Sequence, residues 1–588
     1  MRRVLACAIL LVLLAAPSAW ARDPITPLRD VHRGLRCTAL TVVQGTTISS
    51  FDVDVLDVVA GIGDTDAWIL VHVSGPAVDR SGIASGFSGS PVYCPDANGT
   101  IGNAGAISAT IGQYGNDVGL VTPIEQMLDI PVKPPSGVRR APKLLRAARP
   151  VSSPLVLSGL SPAFGAALER SALAQGHVLV AAPAGPLGTF PPQPLVPGAS
   201  VGVALSSGAL AAGAIGTVTF RDGDVVYGFG HPLEAAGRRA LLLQDAYVFT
   251  VVSNPLGIGQ ISSFKLAAPG HTVGTLSSDG LSGVVGTVGA APRTVPLTVR
   301  VRDRETGRSV TQRTNLVDEV DLGDPDGQGL LSGLAAAAVA QAVTTVFDGA
   351  PSHETGRFCL TVRLRELRRP LRFCNRHVVK GTLDAQSPAP IAVTMSDEVS
   401  SALDVIANAR FRALHLTSID VSATVERGLR LATIQSARLA RHAVRPGERV
   451  GVTLKVRLYR GPLRTVHFAL AIPRDVRPGR RTLRLLGTPL QDADSGGLLS
   501  SIISDLFGDG GSRGAQSMFD VIVGFEGLAQ NDGVTALIGH HRERAYRSSQ
   551  VRIDGRAMVD VKVLKPARPH GHSPAIGRVL RHRQQISG

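Results

Sequence analysis

The residues best suited to chemistry in this chain are Gly86-Phe87-Ser88-Gly89-Ser90-Pro91 and Gly228-Phe229-Gly230-His231-Pro232-Leu233. Acyl transfer by a serine needs an exposed hydroxyl beside backbone N–H groups that hold the tetrahedral oxyanion. A G-x-S-G-x-P turn supplies both, because its glycines let the chain bend until the N–H groups of Gly86 and Ser88 converge. Read alone, such a hexapeptide is more often a tight turn and nothing more. Its surroundings favour chemistry. Pro91 to Cys94 reads as a strand leaving the turn, Pro95 to Gly102 as a loop, and Ala104 to Ala109 as the returning strand.

A serine also needs a base. His231 follows the strand Gly216–Phe220 and the hairpin Arg221–Tyr227, and its glycine-rich flanks leave an imidazole at a strand end. His72, inside Ile69–Val73, reads as a residue on one sheet face, and His271, after Pro269-Gly270, as a turn residue. No acid stands out to orient the base. Asp79, Asp117, Asp222 and Asp245 are all candidates, and a Ser–His pair without an acid is an alternative.

The elements that must hold these residues are mostly strands. Phe51, Val53 and Val55 alternate with Asp52 and Asp54; Val295 to Val301 alternates likewise. Val450 to Leu458 and Val466 to Ile472 flank the turn Arg460-Gly461-Pro462. Strict alternation means one packed face and one wet face, as in sandwiches and barrels. Two helices are expected, Ser161-Pro162 leading into Ala163–Ala174, with proline in its first turn, and the Ala-rich Leu330–Phe347.

The stretch from Leu40 to Leu128 resembles part of the SpoIVB-type serine peptidases, a family named for a bacterial sporulation stage IV peptidase. The matching pieces are Thr41–Gly45, Phe51–Val55, Ile69–Val73, Gly82–Val92 and Gly105–Ile107. A second stretch, with Ala214–Phe220, Gly228–Leu233, Gly274–Leu276 and Gly283–Gly286, resembles the family's other half. The resemblance spans roughly residues 35–290. It implies Ser88 as nucleophile and His231 as base. It departs from the family in that the serine half precedes the histidine half, and no PDZ-like segment is recognisable.

These readings give a mainly β chain: a chymotrypsin-like β-barrel-type peptidase domain from two segments, then an immunoglobulin-like β-sandwich region. The expected division is a signal peptide over 1–21, a serine half over 22–130, a Pro/Arg-rich linker over 131–150 and a histidine half over 151–295. A β-rich region with the Ala-rich helix follows over 296–384, the sandwich over 385–486, and a C-terminal region with a basic flexible tail over 487–588.

The leader reading rests on Arg2 and Arg3, the apolar Leu5–Ala16 and the cleavage triplet Ala19-Trp20-Ala21. It predicts export to the cell exterior, periplasm or envelope, where disulfides form. Cys359 and Cys374 flank a hairpin and are expected to pair, leaving Cys37 for Cys94; buried thiols are the alternative. No metal site and no cofactor are expected, since no C-x-x-C spacing occurs. The formal charge of +15 comes mainly from arginine scattered along strands, and aromatic residues are only 4% of the chain. That excludes a recognisable nucleic-acid module. The expected partners are a protein or peptide substrate and an anionic envelope surface, with no membrane-spanning segment once the leader is removed. A non-catalytic envelope protein reusing a peptidase fold is the competing reading.

Overall fold

The computed structural model describes residues 23–60, 67–111, 115–135, 149–150, 154–254, 256, 262–322, 327–347, 351–380, 390–489, 502–504, 514–528 and 530–565. The segments expected to be leader and basic tail, and most of the expected linker, lie outside them.

The alternating residues near the start of the chain close on themselves. Six strands, β1 (Arg36–Gln44), β2 (Thr47–Ala60), β3 (Ala67–Ser74), β4 (Pro91–Pro95), β5 (Ile101–Thr110) and β6 (Val118–Pro123), pair in the order β4-β1-β2-β3-β6-β5, and a β4–β5 pairing closes the ring. Phe51, Val53 and Val55 fill this antiparallel barrel while Asp52 and Asp54 face water. The Cys37–Cys94 disulfide ties β1 to β4. Helix α1 (Ile124–Leu128) follows, burying Ile124 and Met127.

A short strand, β7 (Arg149–Pro150), extends the first sheet beside β5. Strand β8 (Leu155–Ser158), helix α2 (Pro162–Ala174) and strand β9 (Leu179–Ala182) then form one parallel unit. Pro162 sits at the start of α2, as its fixed φ favours.

A second ring follows. Strands β10 (Ser200–Gly208), β11 (Ala211–Asp222), β12 (Val225–Gly228), β13 (Gly237–Val252), β14 (Phe264–Gly280) and β15 (Gly283–Val288) pair in the order β10-β13-β14-β15-β12-β11. A β10–β11 pairing again closes six strands. Backbone bridges Gly45–Val248 and Ser85–Phe264 join the two barrels.

From β10 the sheet continues through β17 (Ser309–Val317), β16 (Thr294–Asp303), β20 (Leu416–Arg427), β18 (His353–Leu364) and β19 (Leu371–Lys380). Helices α3 (Gly327–Val346), α4 (Pro390–Ala407) and α5 (Met518–Glu526) share its apolar core. The alanines of α3 are buried all round, which lets it pack closely on sheet and neighbouring helix alike. Cys359 and Cys374 stand opposite each other in the β18–β19 register and are disulfide-bonded.

The sandwich differs from its expected boundaries. Residues 390–407 are α4, and 416–427 are a central strand of the long sheet. Among the described residues a separate compact unit instead unites 430–489 with 530–565. Its four-stranded sheet contains β21 (Leu431–Leu439), β23 (Arg449–Leu458), β24 (Leu463–Ala471) and β28 (Arg552–Asp554). Its five-stranded sheet contains β22 (Ala443–Val444), β25 (Gly479–Leu486), β26 (Gly533–Ile538), β27 (His541–Arg547) and β29 (Arg556–Val563). One apolar core, with Val452, Leu454, Leu483 and Val534, spans both sheets. The expected boundary at 486 therefore cut a core in two, because strands contributed by distant sequence are invisible to local periodicity. Among the described residues no helix is long and apolar enough to cross a membrane.

Candidate functional site

The two motif turns meet at one residue of the second barrel, Thr217 on β11. Its N–H donates to the Ser88 carbonyl (2.8 Å) and its hydroxyl to the Gly86 carbonyl (3.0 Å). Its own carbonyl accepts from Phe229 N–H at 3.4 Å. The serine turn is thus held by the N–H and hydroxyl of Thr217 and the histidine turn by its carbonyl.

Glycine is required where they touch. Gly89 has φ +89°, and a Cβ there would lie 2.0 Å from the Thr217 carbonyl oxygen and 2.5 Å from Phe229 N. Gly230 (φ +68°) rests on Ala106, Ile107 and Ser108 of β5, whose Ile107 carbonyl accepts from Gly89 N–H. Phe229 itself has φ +69°, which is strained for a bulky residue. Outliers of this kind cost on the order of 1–3 kcal/mol and persist only where surrounding contacts enforce them.

Several polar groups here have no partner among the described residues. Ser88 Oγ and His231 Nε2 are both buried and make no hydrogen bond, and Ser90 Oγ is likewise unpartnered. The N–H groups of Gly86 and Ser88 donate to nothing among the described residues, whereas those of Phe87, Gly89 and Ser90 donate to Ala84, Ile107 and Phe87 carbonyls. Most buried polar groups in proteins are paired, so unpaired ones in both motif turns call for an explanation. The expected exposed hydroxyl is not found: Ser88 is 0% and His231 1% exposed. No hydrogen bond joins them.

Among the described residues His231 has no carboxylate partner. Its Nδ1 lies 2.7 Å from the Pro232 carbonyl, an acceptor only, so Nδ1 carries the proton and Nε2 the lone pair. Burial lowers its pKa to about 4, the Pro232 bond opposing this in part. None of the four candidate aspartates bonds it. Asp79 accepts from Gly75 N–H, Asp117 faces His72 at 3.7 Å, and Asp222 ends strand β11. Asp245 instead accepts from His271, which lies within β14 rather than in a turn.

Two residues that sequence reasoning passed over support the site. Asp279 is 1% exposed and accepts the N–H groups of Leu233 (2.7 Å), Glu234 (2.8 Å) and Ala236 (3.1 Å), pinning the chain just after His231. Burial raises its pKa against those three bonds. Lys265 packs its stem on Gly86, and its Nζ lies 3.1 Å from Thr217 Oγ1, 3.3 Å from Ser200 Oγ and 5.2 Å from the Phe87 ring centre. No carboxylate pairs with it among the described residues, and burial pulls its pKa down to about 7. The scarcity of lysine in an arginine-rich chain was the one available signal, since arginine cannot shed its proton in such a place.

No protein-family model matches this chain, and no curated protein or solved structure matches it.

Proposed function

We propose that the chain is an exported serine endopeptidase of the SpoIVB-like kind. The two six-stranded barrels form a chymotrypsin-like pair with the serine in the first and the histidine in the second. The separate sandwich, read as immunoglobulin-like, holds the enzyme to an anionic envelope surface. The observation that carries the reading is the unpartnered set in the two turns that bond to Thr217: Ser88 Oγ, His231 Nε2 and the Gly86 and Ser88 N–H groups.

In this reading Ser88 Oγ attacks the scissile carbonyl and passes its proton to His231 Nε2. The Pro232 carbonyl holds the imidazole in the required tautomer, the role a carboxylate has in a triad. The carbonyl oxygen of the substrate, negative in the tetrahedral intermediate, is received by the Gly86 and Ser88 N–H groups, each such donor being worth about 10²–10³ in rate. His231 then protonates the leaving amine, and water hydrolyses the acyl-enzyme by the same route in reverse. Burial of both side chains requires the corner to open for substrate.

The test is labelling by a fluorophosphonate. Wild type is expected to be labelled and Ser88→Ala not, with Ser90→Ala retained as a control that keeps the turn. Equal labelling of wild type and Ser88→Ala overturns the assignment. The burial of Ser88 and His231 favours a second reading, a non-catalytic envelope protein; absence of labelling in a well-folded wild type is its expected outcome.

A further inference from the structure

The sandwich unit holds a cluster unrelated to the serine corner. His540 and His541 stand at the turn of the β26–β27 hairpin, and Asp475 lies in the segment joining β24 of one sheet to β25 of the other. We propose that Asp475, His540 and His541 bind a divalent transition cation of the zinc class.

The distances suit such a site. Asp475 Oδ2 is 3.0 Å from His541 Nε2 and 3.8 Å from His540 Nε2, and the three ligand atoms all lie within 4.8 Å of one another. Zinc–nitrogen and zinc–oxygen bonds of about 2.0–2.2 Å in a tetrahedron place neighbouring ligand atoms roughly 3.3 Å apart.

A second observation concerns direction. His541 Nε2 is a buried atom and makes no hydrogen bond among the described residues, although Asp475 Oδ2 is only 3.0 Å away. At that distance a hydrogen bond fails only if the ring's N–H axis points away from the oxygen. Two donor atoms in close approach but not aimed at each other have the relation of ligands sharing a third atom. The His540 and His541 rings, with centroids 3.9 Å apart, bring a second imidazole to the same point.

The donor set selects the cation. Two imidazoles and one carboxylate suit zinc, copper or nickel, whereas magnesium and calcium need oxygen-rich shells. Arg474 and Arg542, adjacent in sequence to the ligands, disfavour a cation held by charge alone. Three protein ligands leave a fourth position for water or an external ligand. The ion would tie the crossover between the two sheets to the β26–β27 turn, so its binding stabilises the sandwich by mass action.

Calorimetric titration of the full chain with zinc is expected to give one site. His541→Ala and Asp475→Ala should each weaken it at least about tenfold, while His72→Ala should leave it unchanged. Cobalt should give a tetrahedral visible band with wild type and lose it with either ligand variant. Circular dichroism verifies that the variants remain folded; His541→Gln, which keeps the bulk of the side chain, decides the matter if His541→Ala does not. No zinc bound by wild type, or equal binding and an unchanged cobalt band in the variants, overturns the proposal. None of these readouts depends on peptidase activity.

Discussion

Two histidines of the second barrel show opposite designs. His271 has the carboxylate expected of a catalytic base: Asp245 lies 3.0 Å from its Nδ1 and also accepts the Gln193 and His271 N–H groups. Its side chain is 39% exposed, Phe190 meets its ring edge-on at 4.9 Å, and it makes no bond to a hydroxyl among the described residues. Among the described residues His231 has only a backbone carbonyl behind it, yet Phe229, two residues earlier, is in the turn that touches Gly89. A search for Asp–His pairs alone would choose His271 and pass over the histidine proposed as the base. What distinguishes the two is the company of unpartnered groups, not the strength of the hydrogen bond behind the ring.

The comparison can be broken by mutation. His231→Ala is expected to slow fluorophosphonate labelling by about 10²–10⁴, the usual range for a general base, and His271→Ala to change it less than about twofold. The reverse order would transfer the role to the Asp245–His271 pair. Next in size is Asp279→Ala, which strips three N–H groups of their buried acceptor. Leaving buried donors unpaired costs about 1–3 kcal/mol each. Melting should fall, and labelling should fall with it. Restored labelling in Asp279→Asn would show that the cradle positions the histidine turn through acceptance rather than charge.

The pH dependence sharpens the same contrast. His231 must be neutral to accept a proton, and burial lowers its pKa to about 4. Labelling is therefore expected to hold steady from pH 8 down to about pH 5 and to decline towards pH 4. An acid limb near pH 6.5, the ordinary imidazole value, would mean that the reacting base is solvated.

The smallest effect concerns Lys265, whose folded-state pKa of about 7 lies below its unfolded value. Between roughly pH 7 and 10.5 the unfolded chain binds the extra proton, so stability rises with pH across that window. Below pH 7 the buried ammonium burdens the fold. Lys265→Met should stabilise the protein at pH 6 by an amount on the order of a few kcal/mol and flatten the rise above pH 7. Denaturant midpoints at pH 6 and pH 10 measure it, and an unchanged slope would exclude Lys265 as its source.

Much of the first 300 residues was legible because the information is local. The alternation of Phe51, Val53 and Val55 with aspartates set a strand with one buried face, and Pro162 after Ser161 marked the start of α2. Beyond residue 300, the hairpin placement of Cys359 and Cys374 likewise foretold their disulfide. The motif turns, too, were visible as glycine patterns.

What the chain's order could not reveal is everything that depends on closure. The β4–β5 and β10–β11 pairings that make rings of the two sheets are decided by long-range hydrogen bonds, as is the union of 431–486 with 533–563 into one sandwich. Only the tertiary structure brought both turns to Thr217, gave Asp245 to His271, left His231 with a carbonyl and buried Lys265 without a counter-ion among the described residues. Residue types determine which groups are able to bond, carry charge or bend; which of them remain unpartnered is settled only when distant strands compete for the same atoms.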